Sequence, residues 1–150
     1  MRAIQHLKKV RVLYEKACSG LTDEQLFQVP DGFKNHIAWN AAHAVVTQQL
    51  LHYKLSGLEL YLGPDLVERY SKGAGPEQAD LDSYRAVIDF MHRGPELLEI
   101  DHAAGRFESF NSYETSAGVR LESVDDAIEF NNIHEGIHLG IILAQRKLVS

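Results

Sequence analysis

Helical periodicity is the feature of this sequence that most restricts its fold. Apolar residues recur every three to four positions through the long segments, and no segment sustains the apolar–polar alternation that is typical of strands. The periodic segments are residues 2–18, 35–57, 82–98 and 124–148. We therefore predict an all-α protein in which these segments form a four-helix bundle.

Residue types at the segment ends predict where the helices begin and end. Gly20 follows the first helix as a stop signal, and Asn35 is the predicted N-cap of the second. The tripeptide Arg93-Gly94-Pro95 predicts a kink or break in the third helix, because proline lacks a backbone donor. Ser123 precedes the fourth helix as a capping residue.

Two connections are long enough to carry structure of their own. Residues 58–81, between the second and third helices, are rich in glycine and proline and exceed the usual link between bundle helices. Such a link allows the chain to cross the bundle, so that helices two and three run parallel. For the connection 102–122 we predict either a short hairpin or an irregular lid.

Composition indicates one soluble domain over residues 1–150 and excludes several classes of protein. Of these 150 residues, 45% are hydrophobic and 24% charged, as in ordinary globular proteins. The net charge of −6 and the scattered basic residues argue against nucleic-acid binding. No apolar run approaches the roughly 20 residues of a membrane span. A single cysteine, Cys18, and the lack of a signal-peptide core predict a cytoplasmic protein.

The segment NIHEGIH at residues 132–138 carries the strongest chemical signal. It contains H-E-x-x-H, which on a helix is typical of zinc proteases. Such a protease takes its third metal ligand from downstream. The remaining LGIILAQRKLVS contains no histidine, carboxylate or cysteine, and no sheet is predicted on which a peptide could align. These two observations argue against a protease.

A third ligand must therefore come from an upstream helix. His134 and His138 lie one turn apart on one helix face, so both can reach the same ion. His43, halfway along the second helix, is the best-placed partner, because His52 faces the opposite side and His36 lies about 10 Å away along the axis. Three histidines with an open fourth position are typical of catalytic metal sites. The alternative is three core histidines satisfied by hydrogen bonds.

Other residues near these histidines are candidates for function. Glu135 is predicted to be a catalytic base or to orient a histidine; alternatively, it pairs with an arginine of a neighbouring helix or subunit. Trp39, Asn40 and Asn131 are predicted to contact substrate, although each could instead belong to the core or to its hydrogen bonding. Tyr113 and Tyr84 are candidate proton donors, but no sequence signal places either of them near the ion.

The segments NHIAWNAAHAV at residues 35–45 and NIHEGIHLGII at residues 132–142 resemble the DinB/YfiT-like superfamily of metalloenzyme-like four-helix bundles. The resemblance extends over nearly the whole chain and includes GFKN, KGAGP and YETSAG. It implies an up-down-down-up bundle, a homodimer, and zinc or nickel bound by His43, His134 and His138. The family name implies no binding to DNA.

The resemblance implies a general type of reaction and no particular substrate. Relatives include thiol S-transferases that use bacillithiol or mycothiol, and a mycothiol-dependent maleylpyruvate isomerase. The resemblance implies an enzyme whose divalent ion activates a thiol or water for transfer to, or hydrolysis of, a small molecule. A low-molecular-weight thiol would then be the cosubstrate. The competing hypothesis is a non-enzymatic dimeric bundle with a structural or vacant metal site.

Overall fold

A computed structural model describes residues 1–150, and helices account for most of it. The elements are α1 (Arg2–Cys18), α2 (Asp23–Phe27), α3 (Ile37–Gln49), a π-helical turn (Leu50–Lys54), α4 (Pro64–Tyr70), a 3-10 turn (Pro76–Gln78), α5 (Leu81–Ile88), α6 (Phe90–Ala103), β1 (Tyr113–Glu114), β2 (Arg120–Leu121) and α7 (Val124–Arg146). The all-α prediction is confirmed. The only strands form a two-stranded antiparallel hairpin within the connection between α6 and α7.

Contacts between distant residues define the direction of each long helix. Helix α1 runs parallel to α7, because Asn132 donates to the carbonyl of Ala3 near one end and Arg146 donates to the carbonyl of Ala17 near the other. The start of α3 meets the end of α7 instead, where Gln145 donates to the backbone carbonyl of Asn35. These two helices are therefore antiparallel.

Helix α6 runs in the same direction as α3. Gln48 lies against Gly94 near the middle of α6, and the Tyr53 hydroxyl donates to Asp101 one to two turns further along both helices. A Cβ on residue 94 would lie 2.9 Å from the Gln48 side-chain oxygen, so glycine allows the two helices to approach this closely.

The predicted position of the break in the third helix is wrong. The structure divides it at Asp89, between α5 and α6, and Pro95 lies inside α6. Proline cannot donate to the carbonyl four residues earlier, and that carbonyl belongs to Met91. The Arg11 guanidinium donates to the Met91 oxygen at 2.9 Å. A side chain of α1 therefore replaces the missing backbone bond, and α6 continues through Pro95.

The predicted ends of the second helix also need correction. His36, not Asn35, is the N-cap of α3, and its Nδ1 accepts from the backbone N–H of Trp39 at 3.0 Å. The side chain of Asn35 instead accepts from Asn40 and Gln145. Towards Gly57 the helix changes to the π-helical turn at Leu50–Lys54, which local periodicity did not indicate.

Helix α3 lies at the centre of the molecule. Every residue of this helix except Thr47 is buried, whereas α1 and α7 each bury only one face. Its four alanines let the surrounding helices pack closely against it. A polar side chain on α3 therefore projects into the interior, and this places His43 inside the bundle. None of the helices combines the length and apolar character that a membrane crossing requires.

Candidate metal centre

Three histidine rings from two helices meet inside the bundle. The His43 ring of α3 lies 5.2 Å from the His134 ring and 4.6 Å from the His138 ring, measured between centroids. The two α7 rings are 4.5 Å apart. One ring nitrogen of each histidine lies within 4.8 Å of the others. The structure thus brings together the three ligands predicted from the sequence.

Hydrogen bonds orient two of the three rings. Nδ1 of His43 donates to the carbonyl oxygen of Tyr70 at 2.6 Å, and Nδ1 of His138 donates to the side-chain oxygen of Asn40 at 2.8 Å. A neutral imidazole carries one proton, so both rings keep Nε2 as the acceptor that can bind a metal ion. Partners of this kind are typical around histidine ligands of metals.

The amide of Asn40 has only one orientation that satisfies its neighbours. Its nitrogen donates to the side-chain oxygen of Asn35 at 2.7 Å and to the backbone oxygen of His36 at 3.0 Å. Gln145 provides a third acceptor at 3.3 Å. The amide oxygen is therefore left to accept from His138. The structure gives Asn40, predicted as a substrate contact, the position of a residue that orients a ligand.

His134 lacks the hydrogen bonds that its two partners make. Its Nδ1 is buried and has no hydrogen-bond partner in the protein. Burying an unpaired polar nitrogen costs free energy, and a core histidine normally avoids this cost through a hydrogen bond. His134 therefore lacks, at this nitrogen, the hydrogen bond that the alternative of three satisfied core histidines assumes.

All three rings favour the uncharged form. Burial is the largest cause that lowers the pKa of His134 to about 3, and the neighbouring His138, His43 and Arg11 contribute in the same direction. Burial and His43 together bring the pKa of His138 to about 4. The pKa of His43 is also lowered, mainly by burial, against the opposite effect of the Tyr70 carbonyl. Neutral imidazoles are the form that binds metal, so no proton has to leave at neutral pH.

Trp39 packs against the rings of two of the histidines. Its ring stacks on His43 with centroids 4.5 Å apart and planes inclined by 11°. The side chain is buried, and its ring is also 6.5 Å from the ring of His138. These contacts match the packing alternative for Trp39, and its predicted contact with a substrate stays a prediction. The stacking restricts the orientation of the His43 ring.

Glu135 forms a buried ion pair with Arg11 of α1. One carboxylate oxygen accepts from a terminal guanidinium nitrogen at 2.7 Å, the other accepts from Nε at 2.9 Å, and both side chains are fully buried. Arg11 also donates to Gln48 at 3.0 Å. The side-chain nitrogen of Asn131, predicted as a substrate contact, lies 3.4 Å from a carboxylate oxygen of Glu135. The catalytic role predicted for Glu135 gains no support from these contacts, whereas the alternative of an ion pair matches them.

Arg11 was not identified in the sequence as a functional or structural partner. It lies four residues after Leu7 and three before Tyr14, so it falls within the buried face of α1. An arginine at such a position signals a buried partner of opposite charge. This signal was present in the sequence, but the partner on α7 could not be located by local periodicity.

A cavity of about 410 Å³ opens beside the histidines. It lies between α3, α7, the segment after α4 and the hairpin. Its walls comprise His43, Thr47, Leu50, Leu51, Lys54, Leu55, Lys72, Tyr113, Thr115, Ser116, Phe130 and His134. The structure thus places Tyr113, one of the two candidate proton donors, in the same cavity as His43 and His134. The other candidate, Tyr84 of α5, does not line this cavity.

Thr47 and Lys72 are cavity residues that sequence reasoning missed. Thr47 lies one helical turn after His43, and its hydroxyl oxygen is 3.4 Å from Nε2 of that histidine. That spacing was a usable sequence signal, because residues four apart share a helix face. Lys72 follows α4 in the long connection, and only the folded chain brings it to the cavity.

Comparison with models of known families identifies the family of this chain. The model of the DinB superfamily matches residues 6–142, a range that includes α3, α7 and all three histidines. Among curated proteins, none matches the chain. The match covers most of the 150 residues, and the chain therefore belongs to the DinB superfamily.

Proposed function

We propose that this protein is a metal-dependent enzyme that acts on a small molecule, with zinc or nickel bound by His43, His134 and His138. The observation that carries this proposal is the convergence of three neutral imidazoles beside a cavity. Zinc–nitrogen bonds of about 2.0–2.1 Å at tetrahedral angles require nitrogens about 3.3 Å apart. The ring nitrogens lie within 4.8 Å of one another, so small side-chain rotations would bring them into bonding positions.

The composition of the site favours a catalytic over a structural ion. A structural zinc site is closed by four protein ligands. The ligand cluster here contains three histidines and no fourth histidine, cysteine or carboxylate. His43 and His134 line the cavity, so an open coordination position would face it. The form of the non-enzymatic alternative that has a structural ion therefore lacks a fourth protein ligand.

A divalent ion held by three neutral imidazoles keeps its positive charge and lowers the pKa of a thiol or water molecule bound beside it. The chain's own residues provide the remaining functions. The hydroxyl of Thr47, beside His43, can hydrogen-bond to a group bound at the open position. The phenol of Tyr113, which lines the same cavity, can donate a proton to a leaving group. We propose transfer of a low-molecular-weight thiol, or hydrolysis, as the reaction.

We also propose that residues 1–150 form one domain with the up-down-down-up course of a four-helix bundle. The parallel pair α1 and α7, and the antiparallel pair α3 and α7, support this topology. Helix α6, the third long helix of the bundle, runs in the same direction as α3, as this topology requires. The connection that contains α4 then crosses the bundle and places Tyr70 against His43.

Metal content provides the first test. Untagged protein and the variant His43→Ala are loaded with zinc, dialysed and measured by mass spectrometry, with helical content followed by circular dichroism. We expect one zinc ion per chain in the wild type, and loss of most of it in the variant without loss of helix. His92→Ala is the matched control, because His92 is exposed and pairs with Glu15. Equal zinc in both variants would place the metal elsewhere.

Turnover provides the second test. Conjugation of bacillithiol, mycothiol or cysteine to monochlorobimane, and hydrolysis of nitrophenyl acetate, are measured with metal-free and with zinc- or nickel-loaded protein. We expect at least one of these reactions to depend on the metal and to be lost in His43→Ala. If none responds to added metal while the ion is bound, the enzymatic proposal is wrong.

A further inference from the structure

The cavity beside the histidines contains positive charge and no negative charge. Lys54 and Lys72 are among its lining residues, whereas no aspartate or glutamate is. The chain as a whole has 21 acidic and 15 basic residues. A cavity whose charged lining residues are all lysines therefore differs in charge from the protein as a whole. Metal coordination by neutral histidines would add to this positive charge. The cavity is therefore suited to an anionic ligand.

Neither lysine is neutralised by the protein. The structure contains nine ion pairs with nitrogen–oxygen distances up to 4.0 Å, and Lys54 and Lys72 take part in none of them. Lys54 also borders a neighbouring groove that contains Glu59 and Glu68, but neither carboxylate lies within ion-pairing distance of it. Both ammonium groups are thus available to a ligand.

The two lysines mark different parts of the cavity. Lys54 is eleven residues after His43, at the end of the π-helical turn that follows α3, so the two residues lie several helical turns apart. Lys72 is two residues after Tyr70, whose carbonyl accepts from His43, so it belongs to the histidine end. One cation therefore lies near the candidate metal centre and the other lies at the far end.

An apolar surface connects these two ends. Leu50, Leu51 and Leu55 follow α3 towards Lys54, and Phe130 of α7 faces the same cavity. Thr47, Thr115 and Ser116 provide hydroxyl groups on other parts of the wall. A volume of about 410 Å³ is within the range of small-molecule sites. These walls match an elongated molecule with an apolar body and a charged end.

We propose that the cavity binds an elongated organic carboxylate whose apolar body lies on the leucines and Phe130. Its carboxylate is held by Lys54, and its opposite end reaches the histidines, where Lys72 stabilises additional negative charge. This inference adds a substrate class to the proposed function, on which the reactive role of the histidine end depends. The binding of the carboxylate itself depends on the lysines and the apolar wall.

The test compares an eight-carbon carboxylate with its neutral amide. Octanoate and octanamide are titrated into zinc-loaded protein by calorimetry, and the lysines are replaced in Lys54→Met and Lys72→Met, which keep the length of the side chain. We expect octanoate to bind at least about tenfold more tightly than octanamide, and Lys54→Met to weaken octanoate binding about five- to tenfold. Lys72→Met should weaken it by a smaller factor. Octanamide binding should change less than twofold in either variant.

Lys147→Met is the matched control, because it removes the same charge at an exposed position beyond the end of α7. It should leave both affinities unchanged. Equal affinity for the acid and the amide would overturn the proposal. An octanoate affinity that Lys54→Met leaves unchanged would also overturn it, since the carboxylate would then bind elsewhere.

Repeating the titrations with metal-free protein separates this proposal from the proposed function. The preference for octanoate should persist without metal and should still depend on Lys54. A different outcome is that octanoate binds tighter than octanamide only when zinc is present, and equally in the wild type and Lys54→Met. The carboxylate would then bind the ion, so this proposal would be wrong while the metal site remained supported. If the lysine dependence persists in a protein that binds no zinc, the proposed function fails while the carboxylate site stands.

Discussion

Asn40 fixes the orientation of one candidate metal ligand, His138, through a single hydrogen bond. Its amide oxygen receives the Nδ1 proton of His138, and its nitrogen donates to Asn35 and the backbone of His36. The ring therefore presents the same nitrogen to the centre whether or not a metal is bound. Preorganisation of this kind avoids the entropic cost of orienting a ligand when the ion arrives.

Removing that acceptor should weaken metal binding. In Asn40→Leu, His138 loses its partner, and we expect zinc affinity to fall about 10- to 100-fold. Competition with a chromophoric chelator measures the affinity, and circular dichroism checks that the helices persist. Asn40→Asp is the matched variant, because its carboxylate can still accept from His138 and should retain most of the affinity. Equal losses in both variants would contradict an orienting role.

His52 should make the stability of the protein depend on pH. It is fully buried, and burial lowers its pKa to about 3. The unfolded chain takes up a proton near the ordinary histidine pKa of about 6.5, whereas the folded chain does not. Stability is therefore complete above about pH 6.5, and falls as the pH drops towards 3, by up to about 1.4 kcal/mol per pH unit for this group.

Denaturant unfolding at pH values between 7 and 4.5 measures this slope. His52→Leu should reduce it by about one proton. His134 and His138 contribute in the same direction, because their pKa values are also lowered, so a residual slope remains. An identical slope in the wild type and His52→Leu would show that His52 is protonated in the folded protein.

Helices α1, α3, α6 and α7 are joined at one level by the Arg11 side chain. Arg11 donates to Glu135 of α7, Gln48 of α3 and the Met91 carbonyl of α6. The last contact also explains how α6 accommodates Pro95. A buried pair of this kind is weak evidence for net stability, but removing one partner leaves an uncompensated buried charge. The layer therefore holds the helices in one arrangement.

Arg11→Met should destabilise the protein by about 3–5 kcal/mol, because Glu135 is left buried without its cation. The double variant Arg11→Met/Glu135→Leu should recover much of this loss, since apolar residues of similar size replace both charges. Denaturant unfolding measures both effects. The double variant should also bind zinc and retain metal-dependent turnover. Loss of turnover with unchanged zinc affinity would restore the catalytic role predicted for Glu135.

At the scale of the whole molecule, a metal ion would connect segments that are far apart in the chain. His43 belongs to the central helix, and the other two ligands belong to α7 near the C-terminus. The unfolded chain cannot hold these residues together, so a metal ion would bind the folded state preferentially and stabilise it. The homodimer implied by the family resemblance stays a prediction at this scale.

Zinc should therefore raise the melting temperature. Free zinc at about 100 times the dissociation constant stabilises the folded state by about 2.7 kcal/mol. For a chain of this length, that corresponds to an increase of about 5–10 °C. Differential scanning fluorimetry with and without zinc measures the shift, and His43→Ala should show almost none. A shift of the same size in that variant would mean that zinc stabilises the protein at another place.

The predicted helices and the histidine pair came from local patterns that the folded protein retains. The spacing of His134 and His138 ensures that they share a face of α7, and the buried stripe of α1 follows its periodicity. Local patterns were less reliable at the ends of helices. The break expected at Pro95 moved to Asp89, because a side chain from α1 satisfies the carbonyl that proline leaves free.

By itself, the sequence determined the all-α class, the main helical segments and the three histidines, because helical spacing and residue chemistry depend on near neighbours along the chain. Tertiary structure alone decided that Asn40 and the Tyr70 carbonyl orient the ligands, that Glu135 pairs with Arg11, and that Lys72 and Tyr113 reach the cavity. Each of these contacts joins residues from separate elements. Their distances depend on how the helices pack, which short-range periodicity does not encode.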